Sequence, residues 1–348
     1  METKKNGRNA VIDITRGICV LAVLIAHSYQ RGYYPEDYTD SRLISFILKW
    51  YMALFVLLSG YTTGISASKR GGNIPIIRRF LSLIIPTFVW SIVLWLIHSW
   101  EFVGISWYFD FDAYSFGEYI LLLLRRPTYV VWFLYVIFIY NLVLWLAIKV
   151  MKRLHHGEYD DLVKIASAIL GGGIVYIFTK LNIPDMFAND IMGAAGIAAY
   201  WVYFFAGYLV SNLYESRIKL FPLLVTATGV LVLVKVLAYF NVVSVGFQTA
   251  DVWLDMGLIC ILSYGIQKLE GINSNVLHWG IEKLKWLGEH SLSIYLFQLA
   301  FLNCGIGTGR LRMLSIFVCA LIFSVVVTII VEKSRVLSAV FLGKFSER

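Results

Sequence analysis

Long apolar runs follow one another along almost the whole chain, and they limit its possible folds more than any other feature. A helix of about 20 apolar residues crosses the hydrocarbon of a bilayer, and runs of that kind lie near 10–29, 43–66, 79–99, 129–150, 162–180, 191–213, 219–240, 249–267 and 311–331. A shorter run at 291–304 is a further candidate. We therefore expect an all-α polytopic membrane protein with about ten transmembrane helices.

The composition agrees with a lipid environment. Of the 348 residues, 59% are hydrophobic and 15% are charged, whereas soluble domains have about 45–50% apolar and about 25% charged residues. A water-soluble core cannot bury so much apolar surface, which excludes a cytosolic enzyme, a secreted disulfide scaffold and a disordered chain. We expect a single membrane-embedded domain over residues 1–348, without an attached soluble domain.

The basic residues predict an orientation in the membrane. The formal net charge is +8, but Lys and Arg are scattered between the apolar runs and form no basic stripe, so nucleic acid is not an expected partner. They are more frequent in the loops on the side of the N-terminus, and cytoplasmic loops are the ones enriched in Lys and Arg. Both termini should therefore be cytoplasmic, in a multi-pass protein of the cell (inner or plasma) membrane.

The cysteines predict no covalent or metal chemistry. Cys19, Cys260, Cys304 and Cys319 all lie within or beside apolar runs, and the sequence contains neither a CxxC pair nor a Cys/His pattern with metal-ligand spacing. Such patterns are the usual sequence signs of disulfide frameworks and metal sites. We expect neither disulfides nor a metal ion.

The first apolar run carries three ionisable residues, Asp13, Arg16 and His27. A charge near the bilayer centre costs at least about 2.5–3.5 kcal/mol, so such residues point to a functional site. Arg16 and His27 are eleven positions apart, which places them within about 20° of each other on a helix and roughly 16 Å apart along its axis. Asp13 lies where it can pair with Arg16. The structural alternative is an interfacial Asp13–Arg16 ion pair and a histidine satisfied near the outer interface.

Five short motifs occur in order along the chain. They are Arg16 followed after ten residues by His27; WYMALFVLLSGYTTG, which contains Ser59, Gly60 and Tyr61; IIRRFLSLIIP, which contains Arg78, Arg79 and Pro86; Trp132-Phe133-Leu134; and LGEHSLSIYLFQ near the end. Together they resemble the acyltransferase 3 family of integral-membrane acyltransferases over nearly the whole chain. Ala53 departs from the family's usual proline and Gln298 from its usual histidine. Since an amide does no acid–base work, we assign no proton transfer to position 298.

The resemblance implies transfer of an acyl group, commonly acetyl, from acetyl-CoA to a hydroxyl of a surface carbohydrate, glycolipid or related acceptor at the outer face. The donor is cytoplasmic and polyanionic, so Arg16, Arg78 and Arg79 are candidates to bind its phosphates. His27 would act as general base for the acceptor hydroxyl, with Asp13 and Arg16 as the other candidate catalytic residues. An acyl-histidine intermediate is the alternative route.

The family resemblance suggests further contacts, and each has a structural alternative. Ser59, Gly60 and Tyr61 would contact the acyl donor, unless the serine and glycine simply permit close helix packing. Trp132 and Tyr135 would contact the substrate, unless they belong to the aromatic belt at the outer interface.

Two further carboxylates lie in the expected eighth span, at the depth expected of His27. Asp251 and Asp255 are four positions apart and so share one helix face. We hypothesise that one of them pairs with Lys235 of the seventh span and that one orients or charge-stabilises the His27 imidazole, and we count both as substrate-binding candidates. A structural ion pair between adjacent spans is the alternative.

A membrane transporter is the alternative function. Intramembrane Asp, Arg, His and Lys also suit a carrier for an amino acid or another small molecule, and similar membrane domains are attached to the serine racemases of vancomycin resistance. The sequence shows no inverted repeat and no matched pair of helices broken by Gly or Pro, which are the usual signs of a carrier.

Overall fold

The computed structural model describes residues 10–32, 42–98, 111–125, 131–180, 194–213, 265 and 274–345. Every regular element within these ranges is helical, as expected. In chain order the helices are α1 (Ala10–Gly32), α2 (Arg42–Ser68), α3 (Ile76–Ile97), α4 (Phe116–Arg125), α5 (Trp132–Leu154), α6 (Asp161–Lys180), α7 (Ala194–Leu213), α8 (Asn275–Glu289), α9 (Ser291–Phe297), α10 (Gly309–Lys333) and α11 (Arg335–Leu342). Short 3₁₀ turns cover Phe111–Ala113 and Gln298–Phe301.

Five of the described helices, α1, α3, α5, α6 and α10, are long and apolar enough to cross a membrane. The runs at 43–66 and 191–213 also form helices, α2 and α7, and the run at 291–304 forms α9 with the following 3₁₀ turn. The runs at 219–240 and 249–267 lie outside the described residues. The number of spans and the orientation of the termini therefore stay predictions.

Apolar side chains cover the outer faces of the bundle. On α6 and α10 the exposed residues include Ile169, Ile177, Leu314 and Ile322. In lipid a helix satisfies all its backbone hydrogen bonds internally and can leave such a face uncovered. These surfaces are the ones that a membrane-embedded bundle presents to acyl chains.

Glycines allow α2 and α7 to pack with their backbones in contact. A methyl group at Gly60 would lie 2.8 Å from the carbonyl carbon of Phe204, and one at Gly207 would lie 2.9 Å from the carbonyl carbon of Leu57. Gly64, one helical turn after Gly60, is held equally closely by Ser211. Small residues at this spacing are typical of packed helices in membranes.

The first helix packs against the last part of the chain, α8, α9 and α10. Near the Arg16 end, α1 crosses α8 where a methyl group at Gly17 would lie 3.0 Å from the carbonyl carbon of Leu284 and 3.3 Å from Gly288 N. At the other end of α1, the Arg31 guanidinium donates to Asn303 Oδ1 over 3.0 Å. Residues 288–303 therefore run alongside α1 in the same direction.

Candidate active site

A cavity of about 190 Å³ lies between α1, α2, α3, α5 and the junction of α8 with α9. Ligand pockets are usually about 300–1,000 Å³, so this space suits a slender part of a molecule better than a whole nucleotide. Its wall on α2 runs from Met52 to Thr62, ten residues apart, which corresponds to about 15 Å along the helix axis. The cavity is therefore a narrow passage parallel to the helices.

Two arginines line one end of this cavity, Arg16 from α1 and Arg79 from α3. The Arg16 Nη2 atom donates to Thr62 Oγ1 over 3.4 Å, and its Nη1 lies 4.0 Å from Asp13 Oδ1. The predicted pairing of Asp13 with Arg16 is thus present. The Asp13 side chain is only 4% exposed, whereas the Arg16 side chain is 26% exposed, so the arginine can still meet an anion in the cavity.

The second arginine is held by a chain of buried hydrogen bonds. Arg79 Nη2 donates to Thr63 Oγ1 over 3.4 Å, and Thr63 Oγ1 donates to Asn141 Oδ1 over 3.1 Å. Asn141 in turn donates to the carbonyl of Ile137 over 2.8 Å. Consecutive threonines of α2 therefore each contact one arginine, which fixes both guanidinium groups beside the same space.

The opposite end of the cavity is apolar and aromatic. Phe133 lies between Phe55 and Tyr295, with ring centroids 5.9 Å and 5.7 Å away. All three rings line the cavity together with Met52. The passage therefore changes along its length from a cationic, hydrogen-bonding end to an end without charge.

His27 lies level with the apolar end of the cavity but does not line it. Arg16 contacts Thr62 and the two helices run in opposite directions, so the position eleven residues after Arg16 is level with Tyr51 on α2, next to the lining residue Met52. The Nδ1 atom of His27 is buried and has no hydrogen-bond partner among the described residues. A buried polar atom without a partner needs a specific explanation.

The structure brings together only some of the residues expected at the site. Arg16, Ser59 and Arg79 line the cavity, and Asp13 contacts Arg16. The Ser59 hydroxyl donates to the carbonyl of Phe55, four residues earlier.

Five other candidates lie away from the cavity lining: Gly60, Tyr61, Arg78, Trp132 and Tyr135. Gly60 packs against α7, as the structural alternative proposed, and Arg78 is exposed. The Trp132 ring stacks on Tyr200 at 5.8 Å. Its neighbours Phe133 and Leu134 line the cavity in its place.

The hypothesis that Asp251 and Asp255 assist His27 and pair with Lys235 lies outside the described residues. The structure neither supports nor opposes it, and it stays a prediction.

Sequence reasoning missed Glu289, Thr62 and Thr63. Glu289 lines the cavity at the end of α8. It lies inside the motif LGEHSLSIYLFQ, and the threonines directly follow Ser59-Gly60-Tyr61, so the motifs themselves were the signal. The Nε2 atom of the next residue, His290, lies 2.8 Å from Glu332 Oε2 and ties the start of α9 to α10.

Comparison with known proteins gives one match, to a family described as "Acyltransferase domain", which covers residues 9–333. No curated protein and no solved structure matches the chain. The matched region contains every described residue that lines the cavity, as well as His27.

Proposed function

Because the chain belongs to the acyltransferase 3 family and is a helical membrane protein, we propose that it transfers an acetyl group from cytoplasmic acetyl-CoA to an acceptor hydroxyl. The acceptor is a carbohydrate, a glycolipid or a related molecule at the outer face of the cell membrane. The acyltransferase activity itself follows from membership of the family. The donor, the acyl group, the acceptor and the residue roles are our assignment.

Two arginines at one end of a narrow passage support the assignment of acetyl-CoA as the acyl donor. Coenzyme A carries several phosphates on its nucleotide and a thin pantetheine arm that ends at the thioester. Arg16 and Arg79 offer guanidinium groups, which bind phosphate oxygens by charge-assisted and often bidentate hydrogen bonds. The cavity of about 190 Å³ is suited to the arm, so the nucleotide would stay at the arginine end.

The depth of His27 supports its role as the base. It lies level with the apolar end of the passage, where an arm that enters past Arg16 would place its thioester. In the proposed step the His27 imidazole accepts the proton of the acceptor hydroxyl while the oxygen attacks the thioester carbonyl carbon. A carbon–oxygen bond forms and the carbon–sulfur bond breaks. Its electron pair leaves on sulfur, and the proton passes from the imidazole to the resulting thiolate.

The test is release of free thiol from acetyl-CoA by the purified protein in detergent, with and without candidate acceptor glycans. We expect His27→Ala to lower kcat by about 10²–10⁴-fold, the usual contribution of a general base. His278→Ala is the matched control, because His278 is exposed on α8 and should leave the rate unchanged. Thiol release that survives His27→Ala would remove the catalytic assignment.

A second outcome would favour the alternative function. If the protein binds no acetyl-CoA and vesicles that contain it accumulate a radiolabelled amino acid, the chain is a carrier and the proposed acetyl transfer is wrong.

A further inference from the structure

The side chain of Gln298 is fully buried although it is polar. The residue is 0% exposed, and neither its Nε2 nor its Oε1 atom has a hydrogen-bond partner among the described residues. A buried polar group that is left unpaired destabilises the fold, and the Gln298 amide leaves both a donor and an acceptor unpaired among the described residues. Such a group needs an explanation beyond packing.

Gln298 lies at the depth of His27. The segment 288–303 runs alongside α1, with Gly288 against the backbone of Asp13 at one end and Asn303 bonded to Arg31 at the other. His27 is four residues before Arg31, and Gln298 is five residues before Asn303. Both therefore lie within roughly 6–10 Å of the Arg31–Asn303 contact along neighbouring helical segments.

Gln298 also continues the cavity wall of its own helix. Ser291 and Tyr295 line the cavity, and Gln298 lies seven positions after Ser291, a rotation of about 20°. On α1, His27 lies eleven positions after the lining residue Arg16, which is also a rotation of about 20°. The imidazole and the amide thus lie on the cavity-facing stripes of two adjacent segments, at the same level and beyond the residues that line the cavity.

We propose that the Gln298 amide binds the acyl carbonyl during transfer. This inference rests on the proposed acetyl transfer. When the acceptor oxygen attacks, the carbonyl π pair moves onto oxygen, and Gln298 Nε2 donates a hydrogen bond to that developing negative charge. The pair returns to re-form the carbonyl as the carbon–sulfur bond breaks. The amide gives up no proton, so His27 alone carries the proton from the hydroxyl to the sulfur.

The experiment compares Gln298→Met with the wild type in thiol release from acetyl-CoA. Methionine keeps the length of the side chain and removes both hydrogen-bonding atoms. We expect kcat to fall by about 10²-fold, the usual cost of one oxyanion donor, with the KM for acetyl-CoA nearly unchanged. Thr328→Val is the control, because Thr328 Oγ1 is also buried without a partner but lies outside the cavity lining; its kcat should match the wild type.

The KM-against-kcat split distinguishes this role from a structural one. A wild-type kcat in Gln298→Met, or a raised KM with an unchanged kcat, overturns the proposal while the acetyltransferase assignment stands. If Gln298→Met does not fold, the kcat of Gln298→His tests the proposal instead. The imidazole N–H can replace the donor, so a kcat within about tenfold of the wild type supports the proposal, and a loss near 10²-fold overturns it. If the wild type neither binds nor cleaves acetyl-CoA, the proposed function fails first and this inference falls with it.

Discussion

The crossing of α1 and α8 allows one perturbation whose effect can be worked out from the structure. A methyl group at Gly288 would overlap the carbonyl of Asp13 and lie 3.0 Å from Asp13 Cα. Carbon atoms in ordinary contact are about 3.5–4.0 Å apart. Gly288→Ala therefore forces the two helices apart by at least about 0.5–1 Å.

The displacement acts directly on the candidate site. Asp13 contacts Arg16, and the residue after Gly288 is Glu289, which lines the cavity. Overpacking of a well-packed contact costs about 1–3 kcal/mol of folding free energy. A misplacement of about 1 Å in an active site can lower the rate by about 10²-fold. We expect both effects in Gly288→Ala.

The assay pairs the apparent melting temperature in detergent with thiol release from acetyl-CoA. Gly280→Ala is the matched control, because Gly280 lies on the same helix and an added methyl group meets no atom within 4 Å. Replacing glycine by alanine in an open helix position stabilises it by about 0.5–1 kcal/mol. We expect Gly280→Ala to melt at or above the wild-type temperature with normal activity. Wild-type melting and wild-type activity in Gly288→Ala would refute the reasoning from helix contact.

Two further predictions concern the ends of the passage. Arg79→Lys should raise the KM for acetyl-CoA by about tenfold or more, since a hydrogen bond to a charged group contributes about 1.5–3 kcal/mol. The control is Arg78→Lys, at an exposed position, which should leave the KM unchanged. Equal effects of the two variants on the KM would remove Arg79 from the donor site. Asp251→Asn or Asp255→Asn should lower kcat for thiol release, because one of these carboxylates is proposed to orient or charge-stabilise the His27 imidazole. Wild-type turnover in both properly inserted variants would exclude the two as helpers.

The sequence predicts the helices well because each one is an apolar run bounded by polar residues. The run predicted at 129–150 corresponds to α5, Trp132–Leu154, and the run predicted at 311–331 corresponds to α10, Gly309–Lys333. Periodicity also predicts that Arg16 and His27 share one stripe of α1. Lipid makes these inferences secure, since only a helix satisfies its backbone there.

The sequence does not predict which face of a helix borders the cavity. Trp132, Phe133 and Leu134 are consecutive and point about 100° apart on α5. The structure places the last two at the cavity and stacks the first on Tyr200. An all-apolar helix carries no polar face to reveal its orientation, so only the packing of its neighbours decides.

The sequence does not predict the break between α8 and α9 either. Around Glu289 charged and apolar residues alternate in KLKWLGEH, which gives no reason to place this carboxylate in a cavity. The helix ends at Glu289, and His290 adopts a non-helical conformation before α9 begins. That bend brings the end of α8 beside Arg16, and it depends on contacts with α1 and α10 that are remote in sequence.

The parallel arrangement of α1 with residues 288–303 has a consequence for how the protein is made. One wall of the passage leaves the ribosome first, and its partner follows roughly 260 residues later, on the order of 10–50 s at typical rates of synthesis. Throughout that interval Arg16 can contact Asp13 and Thr62 but not residues 288–303. A chain that stops before Gly288 lacks five of the residues that line the cavity, Gly288, Glu289, Ser291, Leu292 and Tyr295, so the site is complete only when translation has passed them.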